Sequence, residues 1–156
     1  RKNKSGIVVK GLHDLAVRFS RCCNPVPGDE IVGFVTRGRG VSIHRTDCIN
    51  VINLPEDERG RLIDAEWQVA ENSTSTEQYS TEIQIFANNR IGLFADISKV
   101  FTEKQIDITS MNVRTSKQGR ATIIMTFDIH GTEELNRITD KIRQIDGVLD
   151  IQRTTG

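Results

Sequence analysis

The chain has 156 residues, 37% hydrophobic and 5% aromatic, with 21 Lys and Arg balancing 21 Asp and Glu. That length suits one ordinary domain or two small ones with thin cores. Near-average apolar content without a long apolar run argues against a disordered chain and against a helical membrane span.

The zero net charge conceals an asymmetry. Basic against acidic residues number 9 to 4 over residues 1–54, 2 to 7 over 55–80 and 10 to 10 over 81–156. A basic leading segment is the electrostatic footprint of phosphate contact. Three cysteines, two of them adjacent, make no secreted disulfide framework, so a reducing cytoplasm is the expected setting. With Arg at position 1 and no leader pattern, the chain is expected to be a piece of a longer one.

In chain order, apolar runs at 7–9 and 16–19 predict short strands separated by a turn at 10–14. Runs at 31–36 and 41–44 flank Arg37-Gly38-Arg39-Gly40, which predicts a hairpin with two arginines at its tip. Those arginines are either solvated hairpin charge or a phosphate contact, the latter because a guanidinium fork matches phosphate oxygens. Thr46 or Asp47 is the expected cap of a short helix running to about Asn53. Residues 62–67 read as a closing strand whose Trp67 covers a small core, and the polar run 71–77 reads as a linker.

Residues 79–154 carry the clearest pattern. Alternation around Ile83, Ile85 and Ala87 gives a strand, and Leu93, Phe94, Ile97, Val100 and Phe101 recur at helical spacing. A second strand starts at Ile106, and its apolar parity shifts before Met111 and Val113, which predicts a bulge. A turn at 117–119, a strand through Ala121 to Ile129, a helix from Thr132 and a last strand at 147–153 complete the order β-α-β-β-α-β. That is the ferredoxin-like pattern, with Glu82, Gln84, Thr122, Thr126 and Asp128 expected on its wet face and Ile124 as the apolar exception.

Two groups of residues can carry chemistry. Cys22, Cys23, His44 and Cys48 offer a three-thiol, one-imidazole metal set, zinc above all. A helical turn between His44 and Cys48 would put those two on one face. The same residues equally suit small buried apolar thiols and a hydrogen-bonded surface histidine. In the loop 87–93, Asn89, Ile91, Gly92 and Leu93 surround a helix start whose amides suit a carboxylate, although the glycine also serves a plain turn. No phosphate-loop, dinucleotide-glycine or His-Glu-x-x-His motif is present, so no self-contained active site is expected.

The run Cys22-Cys23-Asn24-Pro25-Val26-Pro27-Gly28-Asp29, followed by Thr36 to Arg45 and Cys48, resembles the C-terminal regulatory region of long Rel/Spo-type enzymes. Those are the bacterial synthetases and hydrolases of guanosine tetra- and pentaphosphate. Residues 79–154 look like the ACT domain that ends them. The resemblance implies an α+β chain of two small domains. Residues 1–70 would be a β-rich zinc-finger-like or ribosome-intersubunit module, 71–78 a linker and 79–154 the ACT domain. It implies docking on ribosomal RNA and uncharged tRNA, control of catalytic domains elsewhere in the same parent chain, and no catalysis by this part. Arg37, Arg39 and Arg45 become the RNA-facing candidates.

ACT domains as a class bind amino acids where the first helix meets a partner's second strand. That implies a branched-chain amino acid between two copies, held by Asn89, Gly92 and Asp107, with Asp107 replacing the usual asparagine. Three expectations follow: a ribosome- and tRNA-sensing fragment, an amino-acid sensor that pairs through its ACT domains, and a metal or redox switch at the cysteines.

Overall fold

The computed structural model describes residues 6–9, 16–38, 40–68 and 77–156. The expected turn at 10–14, Arg39 and most of the expected linker lie outside the described residues.

The first sheet has five strands in the order β1-β5-β3-β4-β2: β1 (Ile7–Val9), β2 (Val17–Phe19), β3 (Ile31–Thr36), β4 (Gly40–Arg45) and β5 (Leu62–Trp67). β3 and β4 form the expected hairpin, antiparallel with Thr36 opposite Gly40. Only glycine suits position 40. Its φ is +119°, and a Cβ there would stand 2.2 Å from the Ala16 carbonyl oxygen. That carbonyl accepts the Val41 N–H, which brings β2 alongside β4 in parallel. Ile7, Val9, Val41, Ile43 and Ala65 are buried on one face of this sheet as a small core.

The short helix differs from expectation. It is α1 (Ile49–Ile52), preceded by Cys48 with no side-chain cap, while Thr46 and Asp47 form a turn. Backbone bonding explains this, since the Cys48 carbonyl accepts both Val51 and Ile52 N–H groups. A 3-10 segment (Glu56–Arg61) leads into β5.

The second sheet has the order β7-β8-β6-β9, from β6 (Tyr79–Asn88), β7 (Ile108–Thr115), β8 (Arg120–Ile129) and β9 (Val148–Arg153). Helices α2 (Leu93–Glu103) and α3 (Thr132–Arg143) intervene, so the βαββαβ order expected from sequence is the fold. Ile83, Ile85, Ile123, Met125 and Phe127 meet Leu93, Ile97, Phe101, Ile138 and Ile142 in one core. The Phe101 and Phe127 rings meet edge-on at 4.9 Å. The parity shift of the second strand is a register break between Ile108 and Ser110. Glu82, Gln84, Thr122, Thr126 and Asp128 are half-buried on the outer face. No helix among the described residues is long and apolar enough to cross a membrane.

The two sheets share contacts. Trp67 stacks on Phe19 at 5.5 Å, and both meet Tyr79 of β6 edge-on. Val26, from the loop after the paired cysteines, is fully buried in the core of the second sheet. Trp67 therefore joins two cores instead of closing one.

Candidate metal centre

The chain leaves β2 into a turn closed by the Asn24 N–H on the Ser20 carbonyl at 3.0 Å. Asn24 has φ +48°, which redirects the backbone there. Both adjacent thiols reach the same space. Cys22 Sγ lies 3.5 Å from Cys48 Sγ and 3.4 Å from His44 Nδ1, and Cys23 Sγ lies 3.9 Å from that nitrogen. All four donor atoms fall within 4.8 Å of one another.

No helical turn joins His44 to Cys48, contrary to expectation: His44 sits on strand β4 and Cys48 precedes α1. The turn at 46–47 does what one helical turn was expected to do.

These distances test whether a metal fits. Bonds of about 2.3 Å to sulfur and 2.1 Å to nitrogen make a tetrahedron with edges of roughly 3.5 to 3.8 Å. Those three separations straddle that range, with all four donors inside 4.8 Å, and a thiolate-rich set suits zinc. The surroundings add support. The Arg45 N–H donates to Cys23 Sγ at 3.3 Å, and His44 Nε2 lies 2.9 Å from Ser20 Oγ and 3.3 Å from Ser42 Oγ. Burial pushes the Cys23 thiol well above its usual range, with the Arg45 N–H opposing and neighbouring Cys48 and Cys22 reinforcing. Burial likewise raises Cys48 and lowers His44. Buried thiols of this kind become thiolates when a divalent cation joins them.

The arginine candidates separate. Arg37 is at the hairpin tip with 84% of its side chain exposed, and among the described residues it pairs only with Glu58, at 3.3 Å. Hydrogen bonding to Arg61, and then the charges of Arg61 and Arg37, hold the Glu58 carboxyl below its ordinary range. Arg45 is 6% exposed. It donates to the Cys23 carbonyl at 3.3 Å, to the Thr154 carbonyl at 3.1 Å and to Asp47, so it acts as an internal bracket.

The amino-acid candidates also divide. Asn89 is exposed and donates its N–H to Gly119 O, Ile91 is fully exposed, and Gly92 stands before α2 in the left-handed region. Leu93 is buried in the core. Asp107 is exposed beyond the other end of α2, just before β7. Eleven helical residues span about 16 Å, so one copy does not bring Asp107 to Gly92.

One pair carries no local sequence signal. Asp29 takes two bonds from Arg153, at 2.6 and 2.9 Å, while Arg153 also donates to the Asn24 carbonyl. The last strand is thus tied to the cysteine loop. The Ile49 N–H on Thr155 O and the Thr132 N–H on Pro27 O extend the seam.

Fold and centre together define a metal-competent β module seated directly on an ACT-type domain. Residues 7–68 match the model of the RelA/SpoT RIS domain, and residues 75–153 match that of the ACT domain. The chain belongs to the RelA/SpoT family, carrying its RIS domain followed by an ACT domain. It is 39% identical over 150 residues to the GTP pyrophosphokinase of Streptomyces coelicolor, covering 96% of this chain and 17% of that protein. It is 36% identical over 156 residues to the GTP pyrophosphokinase of Escherichia coli K12, covering 99% and 20%. The chain spans about a fifth of the length of these relatives. Among solved structures, the ACT domain from the GTP pyrophosphokinase of Chlorobium tepidum aligns over 49% of this chain and 99% of its own, with 22% identity and TM-score 0.45.

Proposed function

We propose that this chain is the non-catalytic regulatory part of a cytoplasmic guanosine tetra- and pentaphosphate synthetase/hydrolase. It senses amino-acid starvation by docking on ribosomal RNA and uncharged tRNA, and it controls catalytic domains elsewhere in the parent. The supporting observation is the hairpin tip, where exposed Arg37 adjoins Gly38, which has open space around it. The bridge from Arg37 to Glu58 is a surface ion pair of small worth, so a phosphate displaces it readily. Co-sedimentation with ribosomes across a salt series tests this. Arg37→Gln with Arg39→Gln is expected to weaken association roughly tenfold and flatten its salt slope by about one or two. Unchanged binding and slope would remove the hairpin from the interface.

Zinc is the ion we assign to the centre, on the tetrahedral edge lengths given above. Metal analysis of protein purified under reducing conditions is expected to return one zinc per chain, and none after Cys48→Ser. A zinc-free parent protein would refute the assignment.

A second reading is supported by the separation of Gly92 from Asp107 and by Met111 and Val113, each 37% exposed on β7. A site for a branched-chain amino acid then needs two copies, with Asn89 and Gly92 from one and Asp107 from the other. A chain that stays monomeric at all concentrations and gives no heat with valine or isoleucine would reject it.

A further inference from the structure

One face of the first sheet packs on its core, and the other carries a cavity beside the cysteines. This cavity, about 630 Å³, is lined by residues that include Arg18, Ser20, Arg21, Phe34, Ser42 and His44, and among the described residues by no Asp or Glu. Arg18 and Phe34 both pair with Ser42, so the three stand side by side on β2, β4 and β3. Arg18 and Arg21 are exposed, and neither has an ion-pair partner among the described residues.

Hydrogen bonding makes the floor rich in donors. His44 turns Nδ1 toward the thiols and Nε2 toward the hydroxyls of Ser20 and Ser42. An imidazole engaged through Nδ1 as a ligand carries its proton on Nε2 and donates it to those serine oxygens. Each hydroxyl then keeps its own hydrogen to offer a ligand. At the other end, the Arg61 guanidinium lies 4.6 Å from the centre of the Phe34 ring, a stack that a planar base extends.

We propose that this cavity binds the phosphate group of a nucleotide, with Arg18, Arg21, Ser20 and Ser42 as donors and Phe34 as the surface on which the base stacks. The site involves neither Arg37 nor Arg39 and goes beyond the hairpin reading. Its nucleotide is either free or part of a single RNA strand, because both present the same phosphate beside the same planar base.

Calorimetric titration of the chain at low salt with inorganic phosphate, with guanosine monophosphate and with a single-stranded RNA pentanucleotide tests the proposal. Three variants accompany it: Arg18→Gln with Arg21→Gln, Phe34→Leu, and Arg37→Gln with Arg39→Gln. Phosphate and mononucleotide both weakened at least tenfold by the Arg18/Arg21 pair, and unchanged by the Arg37/Arg39 pair, support it with a free nucleotide as ligand. The same pattern confined to the pentanucleotide supports it with RNA as ligand. Phe34→Leu is expected to weaken the nucleotide ligand roughly tenfold while leaving phosphate within twofold. No binding by any probe, or binding indifferent to Arg18 and Arg21, overturns it. Ribosome association lost only with Arg37 and Arg39 would leave the hairpin reading standing while this one fell.

Discussion

Arg37 and Arg45 stand eight positions apart in one basic run, and the fold gives them opposite work. Arg37 meets solvent and a weak surface partner, whereas Arg45 directs its donors to the Cys23 and Thr154 carbonyls and to Asp47. Charged hydrogen bonds of this kind contribute about 1.5 to 3 kcal/mol each, and surface bridges about 0 to 1. Arg45→Met is therefore expected to lower stability by about 3 kcal/mol in urea unfolding, and Arg37→Gln to leave the midpoint essentially unmoved. Tyr79 supplies a pH test. Burial first, then the Glu77 carboxylate, push its phenol up to about 12. A proton held more tightly in the folded state gives stability that is complete below the unfolded value near 10 and is lost as pH rises to 12. Trp67 fluorescence, reporting the ring it meets edge-on, is expected to change across that window, and Tyr79→Phe to remove the Tyr79 part of the change. An identical alkaline profile in the variant would show that Tyr79 does not govern the contact.

At the scale of elements, Gly40 decides whether β2 joins its sheet. Gly40→Ala combines an unfavourable φ with a clash against the Ala16 carbonyl, and is expected to cost about 2 kcal/mol, read as a shifted unfolding midpoint. Legibility from sequence also differs by element. The second sheet was readable because its long strands alternate and its helices carry apolar stripes within continuous sequence. Even the break at Ile108–Ser110 left a mark in that alternation. The three-residue strands β1 and β2 are too short to show a period, so β1 beside β5 and β2 parallel to β4 had no signature. The metal set was legible by residue type, but its assembly from a strand, a tight turn and a helix start was not. Spacing alone does not distinguish that arrangement from one helical turn.

For the whole molecule, the seam between the sheets is the feature that local patterns leave unread. Asp29 and Arg153 are 124 positions apart, and their side chains are only 9% and 17% exposed. Removing one partner of a buried pair leaves the other charge desolvated, at a cost of about 3 to 5 kcal/mol. Arg153→Met is expected to split a single urea transition into two, with Trp67 fluorescence preceding the loss of far-ultraviolet dichroism. One coincident transition at an unchanged midpoint would mean that the aromatic cluster and Val26 hold the halves together without the pair.

The same seam has a consequence for how the molecule is made. A chain emerging at about 5 to 20 residues per second exposes Asp29 for on the order of ten seconds before Arg153 exists to meet it. Arg45 waits similarly for Thr154, 109 positions later. The cysteine loop is thus finished from the far end of the chain, and its last hydrogen bonds form only after the second sheet has folded. Newly synthesised chains pass through a stage in which Asp29 and Arg45 lack their distal partners, so the loop that carries Cys22 and Cys23 is less constrained than in the finished fold.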